Sequence, residues 1–348
     1  MAITFFIGNG FDLGLGLKTS YEDFYHYFCD NIYSPDSSNK IYKMIKEDEK
    51  NNYKNWSDLE LSLGKYSDAY GDDAESFRKD KNELQLALYD YLSNEEKKIR
   101  KIEKETIEDF KRKIKNLPND LAYEDGADFS NFLVNYHGSL EYNFVIFNYT
   151  KMVDAFINPI KRNGLFISHQ SRGVDFKDKI KNVIHIHGTL SDSPIIGVND
   201  ASQIMNNVFK ENDKVTYSFI KPNQNSIIRN GNNIAVENLI KGSDYICIYG
   251  MSIGDTDKKW WEEIGEWLRN NNSHRLIVFQ FTNEDVLPAS ERIYIMEELR
   301  DRFLGKTKLK AEDQKIVRSR IIPIFNSKIF TFDSIKVDST NELLQNEQ

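Results

Sequence analysis

The chain has only two cysteines in 348 residues, Cys29 and Cys247. Two thiolates cannot make a four-cysteine zinc site, and no metal centre is expected. They are far apart and sit among apolar neighbours (Phe28; Ile246 and Ile248). That context reads as buried thiols in a reducing, cytoplasmic compartment. No apolar run approaches the length of a membrane span, so no membrane partner is expected. The opening residues, Met1 to Ile7, place no basic residue before their apolar run. They read as a strand and not as a signal peptide. Positive charge is also not in excess: 46 Lys and Arg stand against 54 Asp and Glu, a net charge of -8. Binding to a nucleic-acid backbone depends on clustered cations, so a nucleic-acid partner is not expected.

What is present is a globular composition, 40% hydrophobic and 29% charged, with apolar runs that alternate with helical patterns. Residues 3–7 form a continuous apolar run stopped by glycine, as in a buried parallel strand. A helix is expected from Ser20, with Ser20 as its N-cap and Asp23 in the first turn. In Trp56-Ser57-Asp58-Leu59-Glu60-Leu61, Ser57 and Glu60 have the spacing of a capping box, and Trp56 and Leu61 that of a hydrophobic staple. Residues 75–117 hold no glycine or proline and read as two long helices broken near Leu92-Ser93-Asn94. Further strands are expected at 142–149, 183–187, 194–198, 244–249, 275–281, 320–325 and 328–332, and a helix at 287–303. The expected fold is a Rossmann-like α/β domain over residues 1–335. It has a mostly parallel sheet and a helical insertion at about 34–138. A flexible tail follows over 336–348.

Four signals follow strands, and in a parallel sheet ligands bind beyond the carboxyl ends of the strands. The first is Gly8-Asn9-Gly10-Phe11-Asp12-Leu13-Gly14. Closely spaced glycines let a backbone approach a diphosphate and meet it with free N–H groups. Gly14 comes one residue too late for G-x-G-x-x-G, and a plain strand-to-helix turn would look the same. Gly14-Leu15-Gly16-Leu17-Lys18-Thr19 fails the phosphate-loop pattern because Leu17 precedes the lysine. The second signal is Phe147-Asn148-Tyr149-Thr150, where Asn148 could hold a ribose hydroxyl or a water, or cap the next helix. The third is Ile184-His185-Ile186-His187-Gly188. Alternation sets both histidines on one strand face, and Gly188 would leave His187 exposed at the strand end as a general base. A packed core histidine is the plainer alternative. His137-Gly138 reads as a glycine-capped helix end. The fourth is Tyr249-Gly250-Met251-Ser252-Ile253-Gly254-Asp255-Thr256-Asp257. Gly250 and Ser252 suit phosphate or ribose contacts there, and Asp255 or Asp257 is expected to cap the helix bearing Trp260, Trp261 and Trp267.

Together, in this order, Gly8-Asn9-Gly10-Phe11-Asp12, Thr19-Ser20-Tyr21, Trp56-Ser57-Asp58-Leu59-Glu60, Phe147-Asn148-Tyr149-Thr150, Ile186-His187-Gly188 and the Gly250/Ser252/Asp257 segment resemble the bacteriophage abortive infection AbiH family. The likeness covers roughly residues 3 to 270. That family in turn resembles the sirtuin-like domains of antiphage NAD hydrolases. The resemblance implies that Gly8 and Gly10 sit at the diphosphate, that Asn148 orients the nicotinamide ribose and the attacking water, that His187 is the general base, and that Ser252 binds the nucleotide. Thr150 stands where sirtuins carry an aspartate, and Asp12 could take that place. The sirtuin zinc module is missing.

The resulting expectation is an antiphage protein that hydrolyses NAD at the nicotinamide–ribose bond. Asn148 and His187 would act on the substrate. Gly8, Asn9, Gly10, Asp12, Gly250, Ser252 and Asp257 would bind it, and a phage-derived product would trigger the activity. The sequence leaves room for a homo-oligomer. Two alternatives stay open. One is a non-catalytic sensor of NAD or ADP-ribose, and the other a nuclease-type toxin, against which the acidic balance argues. Glu60 is either catalytic or a helix cap, and the cap suffices to explain it.

Overall fold

A computed structural model describes residues 1–51, 58–163, 167–229, 231–283 and 288–338. The described residues form seven strands: β1 (Ala2–Ile7), β2 (Glu141–Ile146), β3 (Ile167–Ser171), β4 (Val174–His185), β5 (Tyr245–Tyr249), β6 (Arg275–Gln280) and β7 (Ile321–Phe325). Between β1 and β2 lie α1 (Gly10–Gly14), α2 (Tyr21–Asn31), α3 (Lys40–Asn51), α4 (Leu59–Tyr66), α5 (Ala74–Glu96), α6 (Lys104–Lys115) and α7 (Tyr123–Asn135). Then α8 (Met152–Arg162) follows β2, and α9 (Asn207–Lys210), α10 (Asp213–Phe219), α11 (Lys221–Ile228) and α12 (Asn232–Lys241) precede β5. The last three are α13 (Lys258–Asn270), α14 (Ala289–Leu304) and α15 (Ala311–Val317). None of these helices is long and apolar enough to cross a membrane.

The sheet is ordered β3-β4-β2-β1-β5-β6-β7. All its pairings are parallel except β3 with β4. The chain moves outward from β1 to one side, through β2 and β4, then crosses back to build β5, β6 and β7 on the other. Alternation along each strand sends its side chains into two layers. Phe5, Phe144, Cys247 and Ile277 face a core shared with α6, α7 and α8. Phe6, Val145, Ile246 and Val278 face the tryptophans of α13 and the apolar side of α14. A third cluster, from α2 to α5 and residues 196–220, caps the sheet and meets it at Tyr149.

Several details differ from the sequence expectation. The 194–198 run is no strand and makes only one bridge, Val198 to Ile220. The 328–332 run is a turn that buries Phe330 and Phe332 against the sheet. Both are apolar because they are buried, which periodicity cannot separate from a strand. The β3–β4 hairpin turns at Arg172 and Gly173, both with positive φ, as a two-residue hairpin of primed type requires. The helical break lies after Glu96, not at Leu92. The helix before His137 ends at Asn135, and Gly138 is not a left-handed cap. Cys29 is only half-buried, unlike Cys247. The Ser20 capping box forms in both directions. Trp56 and Ser57 lie outside the described residues, and α4 is capped by Asp58, whose Oδ1 accepts from the Leu61 amide at 2.9 Å. Of the 336–348 tail, Asp338 is held by Arg100, and residues 339–348 lie outside the described part.

The turns after β1 and β5 cross with backbone against backbone. A Cβ added at Gly10 would stand 2.4 Å from Gly250 Cα, and one at Gly8 2.6 Å from Gly250 O. Both of these obstacles are backbone and cannot swing away, and at Gly8 the Met251 side chain crowds the same space at 2.5 Å. Gly10→Ala is therefore expected to lose about 3 kcal/mol or more, measured by urea unfolding. A loss below about 0.5 kcal/mol would show that the crossing can relax.

Candidate functional site

Strand register puts the site together. Ile7 pairs with Ile146 and Tyr249, and Ile146 with His185. Four strands thus end in one row, and the turns that follow emerge along one edge of the sheet. A cleft of about 400 Å³ opens there. Gly8, Asn9, Gly10, Asp12, Asn148, His187, Gly250, Ser252 and Asp257 all line it. The capping helices close it with Asp58 and Glu60 of the α4 start and Leu88 and Leu92 of α5.

Several local details differ from the expectation. The amides of Gly8 and Gly10 are not free, because they donate to Tyr249 O and Gly250 O, each at 2.9 Å. These glycines tie the β1 and β5 turns together and leave a floor without side chains. Asn9 holds the next loop by exchanging hydrogen bonds with Thr19. Asp257 begins α13, yet its side chain does not cap the helix. Asn199 does that through the Lys259 amide at 3.0 Å. The two histidines part company: β4 stops at His185, which bonds Asp154, while His187 lies beyond the strand and is 3% exposed, not open to solvent. Phe147 meets its ring edge-on and stacks on Trp261. Ile253, β-branched and buried, sits at φ 55 in the β5 turn. That is a strained conformation of the kind that collects at functional sites.

Two polar clusters meet in the cleft. In the first, Thr150 Oγ1 donates to Asp12 Oδ2 at 2.6 Å. Asp12 Oδ1 and both amide atoms of Asn148 are buried and make no hydrogen bond of good geometry, although the Asn148 amide lies near enough to Asp12 to favour its charged form. Asn148 does not cap the next helix. Burial pushes the Asp12 carboxyl up to about 7, against the pull of the Thr150 hydroxyl and the Asn148 amide. Near neutral pH it can therefore either donate or accept a proton.

The second cluster is a chain of charges. Lys221 Nζ lies 2.8 Å from both Glu60 Oε2 and Asp257 Oδ1, and His187 Nε2 lies 2.9 Å from the same Asp257 oxygen. Glu60 Oε1 also accepts from the Gly197 amide. Burial outweighs the attraction of Lys221 at Glu60 and moves that carboxyl upward. At Asp257, Lys221 and His187 outweigh burial and hold it well below the usual carboxylate range. Burial first, and Lys221 second, lower the His187 imidazole, so it is neutral at pH 7. With Asp257 ionised, Nε2–H donates to it. That leaves a lone pair on Nδ1, which is buried with no partner. An aspartate that fixes the histidine tautomer and a free opposite nitrogen form the base half of an acid–base site.

Sequence reasoning missed Lys221, the only Lys or Arg among the described residues of the lining. It lies in Phe219-Ile220-Lys221-Pro222, where Pro222 opens a helix and no motif marks the lysine. The Ser57 half of the capping box expected for Glu60 lies outside the described residues; within them Glu60 binds Lys221 across 161 residues of sequence.

Lys221→Met is expected to destabilise the fold by about 3–5 kcal/mol at pH 7, because two buried carboxyls lose their shared cation. The loss should shrink below pH 6 as Glu60 takes a proton. Urea unfolding at both pH values checks this, and a pH-independent loss would contradict it. Asp12 has a folded value raised from 3.8 to about 7. Its ionisation then costs stability as pH rises through that window, reaching roughly 4 kcal/mol above it. Asp12→Asn should be more stable than the natural chain at pH 8, with the gap narrowing by about 2–3 kcal/mol at pH 5. An equal gap at both pH values would refute the assignment.

A comparison with curated proteins finds no match to this chain. The family model described as "Bacteriophage abortive infection AbiH" matches residues 4–279, from the first strand to the sixth. The chain belongs to the bacteriophage abortive infection AbiH family.

Proposed function

We propose that this protein acts in abortive-infection defence by hydrolysing NAD at the nicotinamide–ribose bond. One observation carries the reading most directly. Buried and unsatisfied polar atoms of Asp12, Asn148 and His187 line one cleft. Orphaned buried groups are costly in a fold, and a polar ligand relieves that cost. The six parallel strands, numbered in chain order, run 3-2-1-4-5-6. This is the order of Rossmann-like dinucleotide-binding sheets, whose ligand lies where the order reverses. That point falls between β1 and β5, at the glycine crossing.

The charge balance favours the nicotinamide end as the reacting end. Asp12, Asp58, Glu60 and Asp257 line the cleft, and among its described lining residues Lys221 is the only lysine or arginine. A cationic pyridinium and an oxocarbenium-like transition state suit such a lining, since fixed negative charge stabilises developing positive charge. Asn148 would hold the ribose hydroxyls and His187 would take a proton from the attacking water. Asp12 would read the nicotinamide amide in place of the missing aspartate at Thr150. The glycine floor would admit the diphosphate beside the Ser252 hydroxyl. Hydrolysis adds water across the C–N bond and yields nicotinamide and ADP-ribose. A phage product would act as the trigger.

Purified protein mixed with NAD, with and without phage lysate, should release nicotinamide. His187→Ala and Asn148→Ala, each checked by thermal melting, should lower the rate by about 10²–10⁴-fold. NAD binding without turnover under every condition would favour the sensor reading. Neither binding nor turnover would defeat both.

A further inference from the structure

Two helices that line the cleft also build a separate groove on the outer surface. It encloses about 490 Å³ between α5, α10 and α11. Leu86, Tyr217, Ile227 and Ile228 line it, and all four are more than half exposed. Such a cluster of large apolar side chains on a surface helix pair is the usual mark of a contact site.

The groove also has a charge. Lys81 lines it, yet is only 5% exposed. Its ammonium donates to Gln85 Oε1 at 2.9 Å and lies over the Phe219 ring. Among the described residues no carboxylate forms an ion pair with it, whereas the neighbouring Arg78 is paired with Glu75. Among the described residues no acidic one lines the groove, although the chain as a whole carries a net charge of -8. A buried ammonium without a counter-ion is costly unless something else brings the negative charge.

We propose that this groove docks an apolar segment of another protein, and that a carboxylate on that segment pairs with Lys81. Apolar flanks would cover Leu86, Tyr217, Ile227 and Ile228, and the acidic group would reach the ammonium at the base. The partner is thus an acidic, amphipathic peptide stretch, recognised by a central buried charge inside an apolar ring. Its seat touches the cleft through shared bodies. α11 has Lys221 at one end and Ile227 and Ile228 at the other. On α5, Tyr89 in the groove packs on Tyr149 of the cleft.

The test is selection of displayed random dodecapeptides on the full-length chain, followed by fluorescence anisotropy with the enriched peptides. Enriched sequences should carry Asp or Glu flanked by apolar residues. Replacing that acid by its amide, or making Lys81→Met, should weaken binding by at least about tenfold. Ile228→Asp changes an exposed position and should abolish binding without unfolding the chain. Peptides that bind Lys81→Met equally well, a basic consensus, or no enrichment would overturn the proposal. So would a concentration-dependent dimer that Ile227→Asp dissolves, since the groove would then serve a second copy of this chain.

Discussion

Where the turn after β1 meets the turn after β5, Gly8 and Gly10 lie against Gly250 with no side chain between them. Two hydrogen bonds, Gly8 N to Tyr249 O and Gly10 N to Gly250 O, hold the crossing at 2.9 Å each. Any Cβ there would strike backbone. The contact fixes the distance between the two halves of the sheet at their carboxyl ends. With it in place, the register of β1, β2, β4 and β5 brings the remaining turns to the same edge, and the cleft follows. The same glycines that suggest phosphate binding in the sequence are thus first a structural joint. Their bareness is what leaves the floor open.

Above that floor the protein concentrates cost. It buries Glu60, Lys221, Asp257 and His187 in one connected chain, and it leaves Asn148 and Asp12 partly unsatisfied. A buried ion pair rarely repays its desolvation in stability. What it does here is hold one imidazole in one tautomer. The strained Ile253 in the neighbouring turn belongs to the same pattern, since natural folds depart from local preference chiefly where function demands it.

Much of this was legible in the sequence, and the reasons are local. A short apolar run identifies a buried strand, stopped by glycine at β1 and β5, so β1, β2, β5, β6 and β7 could be located, with ends shifted by a few residues. Nine candidate residues could be named because each follows a strand, and a parallel sheet gathers strand ends. Three kinds of feature were hidden. Apolar loops such as 194–198 and 328–332 look like strands because burial, not periodicity, selects their residues. A long-range partner such as Lys221 leaves no local trace. Finally, Glu60 had a sufficient local explanation in the capping box, and only tertiary structure shows its pairing with Lys221. His187 is a middle case: its position was foreseen, but not its burial against Phe147 nor its bond to Asp257.

The proposed chemistry requires that the cleft receive a dinucleotide in the stated orientation. A crystal structure of the chain grown with ADP-ribose and nicotinamide, or with NAD on Asn148→Ala, reads this directly. The diphosphate is expected over the Gly8–Gly10 turn, the nicotinamide-side ribose at position 148, and the His187 imidazole on the face where water would attack. A nucleotide bound elsewhere, or reversed so that adenine lies beside Asp12 and His187, would contradict it.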